Sequence, residues 1–300
     1  MVFNMTKVAV ISTKDHFYGV NKSLELLEIN PVKDKNVIFK PNFNTADPPP
    51  ASSSMETIRQ IIIKLKEMGA KSITVAERSG PANTAETFKK KGLYSLAEEL
   101  DFGIVDLTAV PKEDYILKNP EGSHWKDGFL FAKIYDDAEC IVETCCLKTH
   151  MYGGHFTLSL KNAVALVRRD YMTELHASKY QREMIAEINA VYKPDLIIMD
   201  GIISFVNGGP MEGTRKEANV FIAGTDKIAI DAVGVALLRI LGTTPEVSKG
   251  SIFEQTQIKR AVELGLGIKM PNEIEFITDS KEAEELVIKI KEKLMEKNKA

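Results

Sequence analysis

Residues 36–76, NVIFKPNFNTADPPPASSSMETIRQIIIKLKEMGAKSITVA, decide the fold class. The stretch opens on NVIF (36–39) and closes on SITVA (72–76), two short runs rich in apolar residues and bounded by polar or turn-forming ones. Between them Met55, Ile58, Ile62 and Leu65 recur at helical spacing. Ser53 with Glu56 three residues on makes a capping box, and Gly69 supplies a stop. Strand, helix, strand predicts a βαβ unit. Strands that lack a polar face are buried on both sides, which a parallel sheet between two helical layers provides.

The same alternation runs along the chain. Further strands are expected at 7–11, 102–106, 140–144, 196–199 and 219–223. Helices are expected around 24–29, from Asn83 to a break at Gly92, and over 94–100, 226–241, 252–264 and 282–295, the last capped by Asp279. Residues 111–133 carry Pro111, Pro120, Gly122 and Gly128 as turn residues and read as a hairpin excursion. The expectation is an α/β fold, a largely parallel (mixed) sheet with helices on both faces. It forms one domain over 1–300, or two closely packed lobes, with C-terminal helices at about 250–296.

With 44% hydrophobic and 27% charged residues, 300 residues suffice for a sizeable core. A net charge of −3 lacks the basic excess that a nucleic-acid surface needs. No run approaches the roughly eighteen apolar residues of a membrane span. The start, MVFNMTKVAVIST, lacks a signal peptide's long apolar core. These features predict a cytoplasmic protein with no nucleic-acid or membrane partner, and are compatible with a homo-oligomer. The three cysteines, Cys140, Cys145 and Cys146, are odd in number and match no self-contained zinc or iron–sulfur spacing. They read first as small apolar residues on a buried strand. Cys145 and Cys146, with His150 and His176, remain weak candidates for a metal or cluster; the sequence requires no cofactor.

In open α/β sheets ligands gather where strands end, because the loops leaving there face one crevice. Lys40 and Asn42 follow NVIF, and Glu77 and Arg78 follow SITVA. Lys148 and His150 follow CIVET, and Asp200 follows LIIM. Four strands thus deliver polar side chains to one edge. Lys40, Lys148 and Lys161 suit a carboxylate or phosphate. The pairs Gly153-Gly154 and Gly208-Gly209 allow turns that aim backbone N–H groups at an anion. Residues 155–167 are expected to begin a helix, with Thr157 and Lys161 together near its N-terminus and Asn162 alongside. His150, Lys148 and Lys161 are the candidate catalytic groups. Lys40, Asn42, Glu77, Thr157, Asn162, His176, Asp200, Gly208 and Gly209 are the candidate ligand-binding ones. His155 is a weaker candidate for proton transfer, and His16, His124, Asp226 and Asp231 read as structural or supporting.

These residues resemble the domain-of-unknown-function family 362. The likeness rests on Lys40-Pro41-Asn42, on residues 147–162 ending in SLKN, on His176, and on Asp200-Gly201-Ile202 with Gly208-Gly209-Pro210 and Gly213. It ends with D-x-x-A-x-D-A at 226–232, so that it covers about 36–235. Many members carry cysteine-rich ferredoxin segments, and this chain has none. A looser similarity of layout joins the chain to the nickel-pincer lactate racemases, in which a strand, a histidine, a glycine-rich turn and a lysine follow in order. That similarity implies a 2-hydroxy acid held against a modified nicotinic cofactor, with histidines as acid and base. Three functional expectations stand together. One is an enzyme acting on a small anion by proton transfer through His150 or a lysine, another a metal- or cofactor-dependent enzyme, and the third a non-catalytic binder of an anionic metabolite.

Overall fold

A computed structural model describes residues 5–296. The first four residues of the segment inspected for a leader lie outside them. Strands β1 (Thr6–Ser12), β2 (Asn36–Lys40), β3 (Ser72–Glu77) and β4 (Gly103–Asp106) come first. They are followed by the hairpin β5 (Tyr115–Lys118) and β6 (Phe129–Ala132), then β7 (Cys140–His150) and β8 (His155–Thr157). The last are β9 (Leu196–Gly208), β10 (Gly213–Gly224) and β11 (Ile274–Ile277). All but the β5–β6 hairpin join one sheet, in the order β11-β1-β10-β9-β7-β2-β3-β4, with β8 folded back on the end of β7. From β9 to β4 every neighbour is parallel; β10 runs antiparallel to both β9 and β1. The expected mixed, mostly parallel α/β sheet is what forms.

Both faces of the sheet are covered. On one, Ile58, Ile61, Ile62 and Leu65 of the helix Met55–Glu67 pack with Phe88 and Leu93 on Val37, Phe39, Val75 and Val142. On the other, the helix Lys227–Leu241 lays Val233, Ala236 and Leu237 against Leu147, Ile197, Met199 and Ile222. Each fully buried Val, Leu, Ile, Phe or Met side chain among them contributes roughly 1.5–3 kcal/mol. The sheet's centre is therefore dry. In β7 all eleven residues are buried, including Glu143, Lys148 and His150. Among the described residues no helix is long and apolar enough to cross a membrane.

Several boundaries differ from expectation, each for a local physical reason. The N-cap of Met55–Glu67 is Ser54, which accepts from the Glu56 N–H, while the Ser53 hydroxyl accepts from the Asn42 N–H instead. Ser280, not Asp279, caps Lys281–Met295; Asp279 accepts from the Tyr18 hydroxyl. Three strands outrun their apolar cores: β7 continues to His150, β9 to Gly208, and β10 begins at Gly213. Cross-strand backbone bonds carry them through polar residues that periodicity reads as loop. No element was expected at β11 or at the helices Met172–Ala177 and Gln181–Ile188.

The largest correction falls on residues 155–167. They do not start a helix. Gly153, at φ 80°, and His155, at φ 63°, reverse the chain so that His155, Phe156 and Thr157 pair antiparallel with His150, Thr149 and Lys148. Only then comes a single helical turn, Ser159–Asn162, followed by a 3-10 turn, Ala163–Leu166. Thr157 and Lys161 are therefore brought together by a hairpin and not by helical spacing.

Candidate functional site

The carboxyl ends of β2, β3 and β7 open into a cleft of about 800 Å³. Lys40, Asn42, Glu77, Lys148 and His150 reach it from the strand ends, and Thr157, Lys161, Asn162 and His176 from the segments beyond β7. Its polar floor is closed on itself. Lys40 Nζ donates to Glu77 Oε2 at 2.8 Å, to the Pro41 carbonyl at 2.6 Å and to Asn162 Oδ1 at 3.2 Å, which uses all three ammonium protons. Glu77 also accepts the N–H groups of Phe43 at 3.0 Å and Arg78 at 2.7 Å. Asn162 Oδ1 takes a further bond from Asn42 Nδ2, and Asn162 Nδ2 donates to the Thr144 carbonyl. Lys148 Nζ donates to Asn42 Oδ1 at 2.9 Å and to the Ala51 carbonyl at 2.5 Å, leaving one proton.

Above this floor the groups are open. Among the described residues Lys161 Nζ has no hydrogen-bond or ion-pair partner. Burial, then Lys148 and Arg78, push its pKa down to about 7. Burial also lowers Lys148. His150 is held well below the ordinary histidine range by burial, with Lys161 and Lys148 adding to it, so the ring is neutral. Its Nδ1 is buried without a partner, as is the Thr157 hydroxyl. His176, lowered by burial and Lys161, receives the Gln181 amide N–H on Nδ1 at 3.0 Å, so its own proton sits on Nε2. Gly154 is the point where these meet. A Cβ there would lie 2.7 Å from Lys161 Cε and 3.2 Å from His150 Nδ1.

Three expected ligand residues do not line the cleft. Asp200 lies within β9, and its carboxylate accepts from Thr57 Oγ1 at 2.6 Å. Gly208 and Gly209, at φ 79° and 73°, form a tight turn in which the Gly209 N–H donates to the Glu212 carbonyl. A Cβ on Gly209 would stand 2.1 Å from the Thr149 carbonyl, so close approach is what glycine provides here. Pro210 and Met211, just beyond, are the residues that reach the cleft. His155 points elsewhere, toward Arg182. Cys145 belongs to the core under Lys227–Leu241, whereas Cys146 turns toward Ser53 on the opposite face of β7, as strand alternation requires. Burial raises the pKa of both thiols. Among the described residues no three His, Cys, Asp or Glu side chains gather as a metal centre.

Sequence reasoning missed the cleft's walls, Phe43, Val164, Met172 and Met211, and the cation Arg169 as a lining group, whereas Arg78 lines the cleft from the strand end where the sequence put it. Nothing local marks the missed groups. Asp231 was read only as supporting, yet it accepts the Ser159 N–H at 2.8 Å and the Leu160 N–H at 3.3 Å, capping from a distance the turn that presents Lys161 and Asn162. A lone acid inside an apolar helix is the signal for such a role. Asp226 caps its own helix through the Ala229 N–H.

The model of the family described as domain of unknown function (DUF362) matches residues 37–236. The chain belongs to that family. The match takes in every group of the cleft floor and ends within the helix that carries Asp231. Among curated proteins, a thylakoid-associated protein of Synechocystis sp. is 24% identical over 212 residues, 68% of this chain. The aligned part is 63% of that relative's length. Among solved structures, the lactate racemase apoprotein of Thermoanaerobacterium thermosaccharolyticum superposes with a TM-score of 0.45 at 13% identity. That superposition covers 94% of this DUF362 chain and 85% of the racemase chain.

Proposed function

We propose that this chain is an enzyme that binds a small anion at the ends of β2, β3 and β7 and exchanges a proton with it. One observation carries the reading. Above a floor whose polar groups bond one another, Lys161 Nζ, one proton of Lys148, His150 Nδ1 and the Thr157 hydroxyl are all open. Three of these are donors suited to a carboxylate or phosphate. Lys161, with its pKa near 7, is populated in both protonation states at neutral pH, as a general acid–base requires, and the neutral His150 ring offers Nδ1 as a hydrogen-bond partner beside it.

Thermal-shift measurements in low salt test this with benzoate and phenyl phosphate against neutral benzamide. The anions are expected to raise the melting temperature of the wild-type chain, and benzamide is not. Lys161→Ala is expected to lose the response, and an unchanged response in that variant sinks the reading. Mass spectrometry of whatever small molecule co-purifies, followed by proton NMR in D2O, then asks whether the enzyme exchanges a carbon-bound hydrogen.

Gly154→Ala offers a gentler test. The added methyl meets the ends of two side chains, not backbone, so the fold yields while Lys161 and His150 are displaced. Anion affinity is expected to fall about 10-fold with little change in melting temperature. Equal affinity for the variant and wild type, measured by calorimetry, would show that the Lys161–His150 approach does not matter.

A further inference from the structure

The cleft has an excess of positive charge that the protein does not balance. Arg78 is 3% exposed and Lys148 is fully buried, yet among the described residues neither has a carboxylate partner. Arg78 donates to the carbonyls of Val167, Ser79 and Val164. Lys148 is held by an amide and a carbonyl, and Lys161 by nothing among the described residues. Arg169, at the rim, donates to the carbonyls of Gly80 and Pro81. Glu77 is the one carboxylate among the lining residues, and Lys40 neutralises it at 2.8 Å. Buried cations without a counter-ion are costly, and a protein retains them where another molecule supplies the charge. A single negative charge answers only part of an excess contributed by Arg78, Lys148 and Lys161.

Size and lining add a second constraint. About 800 Å³ is near the upper end of ordinary ligand cavities, far beyond a two- or three-carbon acid. Phe43, Val164, Ala165, Met172 and Met211 line the remainder with apolar surface.

We propose that the ligand of this cleft carries a dianionic head, a phosphate monoester or a pair of carboxylates, joined to an apolar body. The head lies against Lys148 and Lys161, with Arg78 behind them, and the body lies against the apolar wall. This rests on the anion-binding reading above and narrows it. Proton linkage follows from the geometry. At pH 8 Lys161 is mostly neutral, because burial, Lys148 and Arg78 oppose its charge. A dianion beside it reverses the balance and draws a proton on. The other titratable groups lining the cleft are His150 and His176, both held below the ordinary range, Lys148, lowered by burial, the paired Lys40 and Glu77, Tyr152, and the guanidinium groups of Arg78 and Arg169. At pH 6 Lys161 is already charged and the uptake falls.

Calorimetry on the full chain compares two matched pairs at pH 8, each in two buffers of different ionisation heat. Phenyl phosphate is set against its monoanionic methyl ester, and phthalate against benzoate. The expected result is that at least one dianion binds about 10-fold or more tightly than its monoanionic partner, with proton uptake that shrinks at pH 6. Which pair shows the gain separates phosphate from dicarboxylate. Equal binding within each pair, or binding without proton uptake, overturns the dianion inference and leaves the anion site standing. Failure of all four anions to bind removes both.

Discussion

Lys161→Met is expected to abolish anion binding and at the same time to raise the melting temperature of the ligand-free protein. Both effects come from one group. The ammonium sits in the cleft among Lys148, Arg78 and a neutral His150, with no acidic partner among the described residues, so charging it in the folded state is unfavourable. Its pKa falls from 10.5 in an unperturbed lysine to about 7. Below pH 7 both folded and unfolded chains carry the proton and the folded state bears the whole penalty. Between pH 7 and 10.5 the unfolded chain binds more protons than the folded one, so stability rises with pH. Lys161 is partly open to the cleft and water recovers some of the cost, so the gain on substitution is about 2 kcal/mol at pH 6. Methionine keeps the length of the stem and loses only the charge. Unfolding scans at pH 6 and pH 9 check the sign. A stabilisation that is larger at pH 9, or a variant less stable than wild type at pH 6, refutes this account of Lys161.

Glu77→Ala is expected to have the opposite character, a loss of about 3–5 kcal/mol in stability. Glu77 is 1% exposed and meets Lys40, which is wholly buried, so removing the carboxylate strands a buried charge in the floor of the cleft. The N–H groups of Phe43 and Arg78 lose their acceptor as well. Lys40 also steadies Asn162, and Asn162 steadies Asn42, which holds Lys148. Binding at the cleft should therefore fail together with stability. The double variant Lys40→Met with Glu77→Leu discriminates. Replacing both members by apolar groups of similar size is expected to recover most of the lost stability without restoring binding. Denaturant unfolding of the wild type and the two variants measures this. A single substitution costing under about 1 kcal/mol, or a double variant no better than the single, rules out the pair as the fastener of the floor.

Much of this was legible in the sequence. The βαβ unit at 36–76 declared itself because hydrophobic periodicity is a local property and both strands are short and apolar. Strand ends were legible for the same reason, and nine of the twelve candidate catalytic and ligand-binding residues do line the cleft. The misplacement of Asp200 came from assuming that a strand stops where its apolar run stops. In β9 the ladder to β10 and β7 continues past Asp200, so the chain delivers Pro210 and Met211 to the cleft instead. Residues 155–167 were misread because two backbone turns, at Gly153 and His155, outweigh a helical pattern that looks sound in one dimension.

Lys40 and Lys161 show where the sequence stops. Each is a lysine beside a polar segment near a strand end or a turn, and one-dimensional reasoning treats them alike. In the fold, Lys40 finds a carboxylate, an amide and a carbonyl within 3.2 Å, while Lys161 finds none among the described residues. The sequence alone determined the alternation of elements, the sheet's class and the set of polar groups near its edge, since these follow from spacing along the chain. Tertiary structure alone decided which cations are neutralised and which stay open. The partner that neutralises Lys40, Glu77, is 37 residues distant and the amide that holds Lys148, Asn42, is 106, and pairing across such gaps is set by which strands become neighbours.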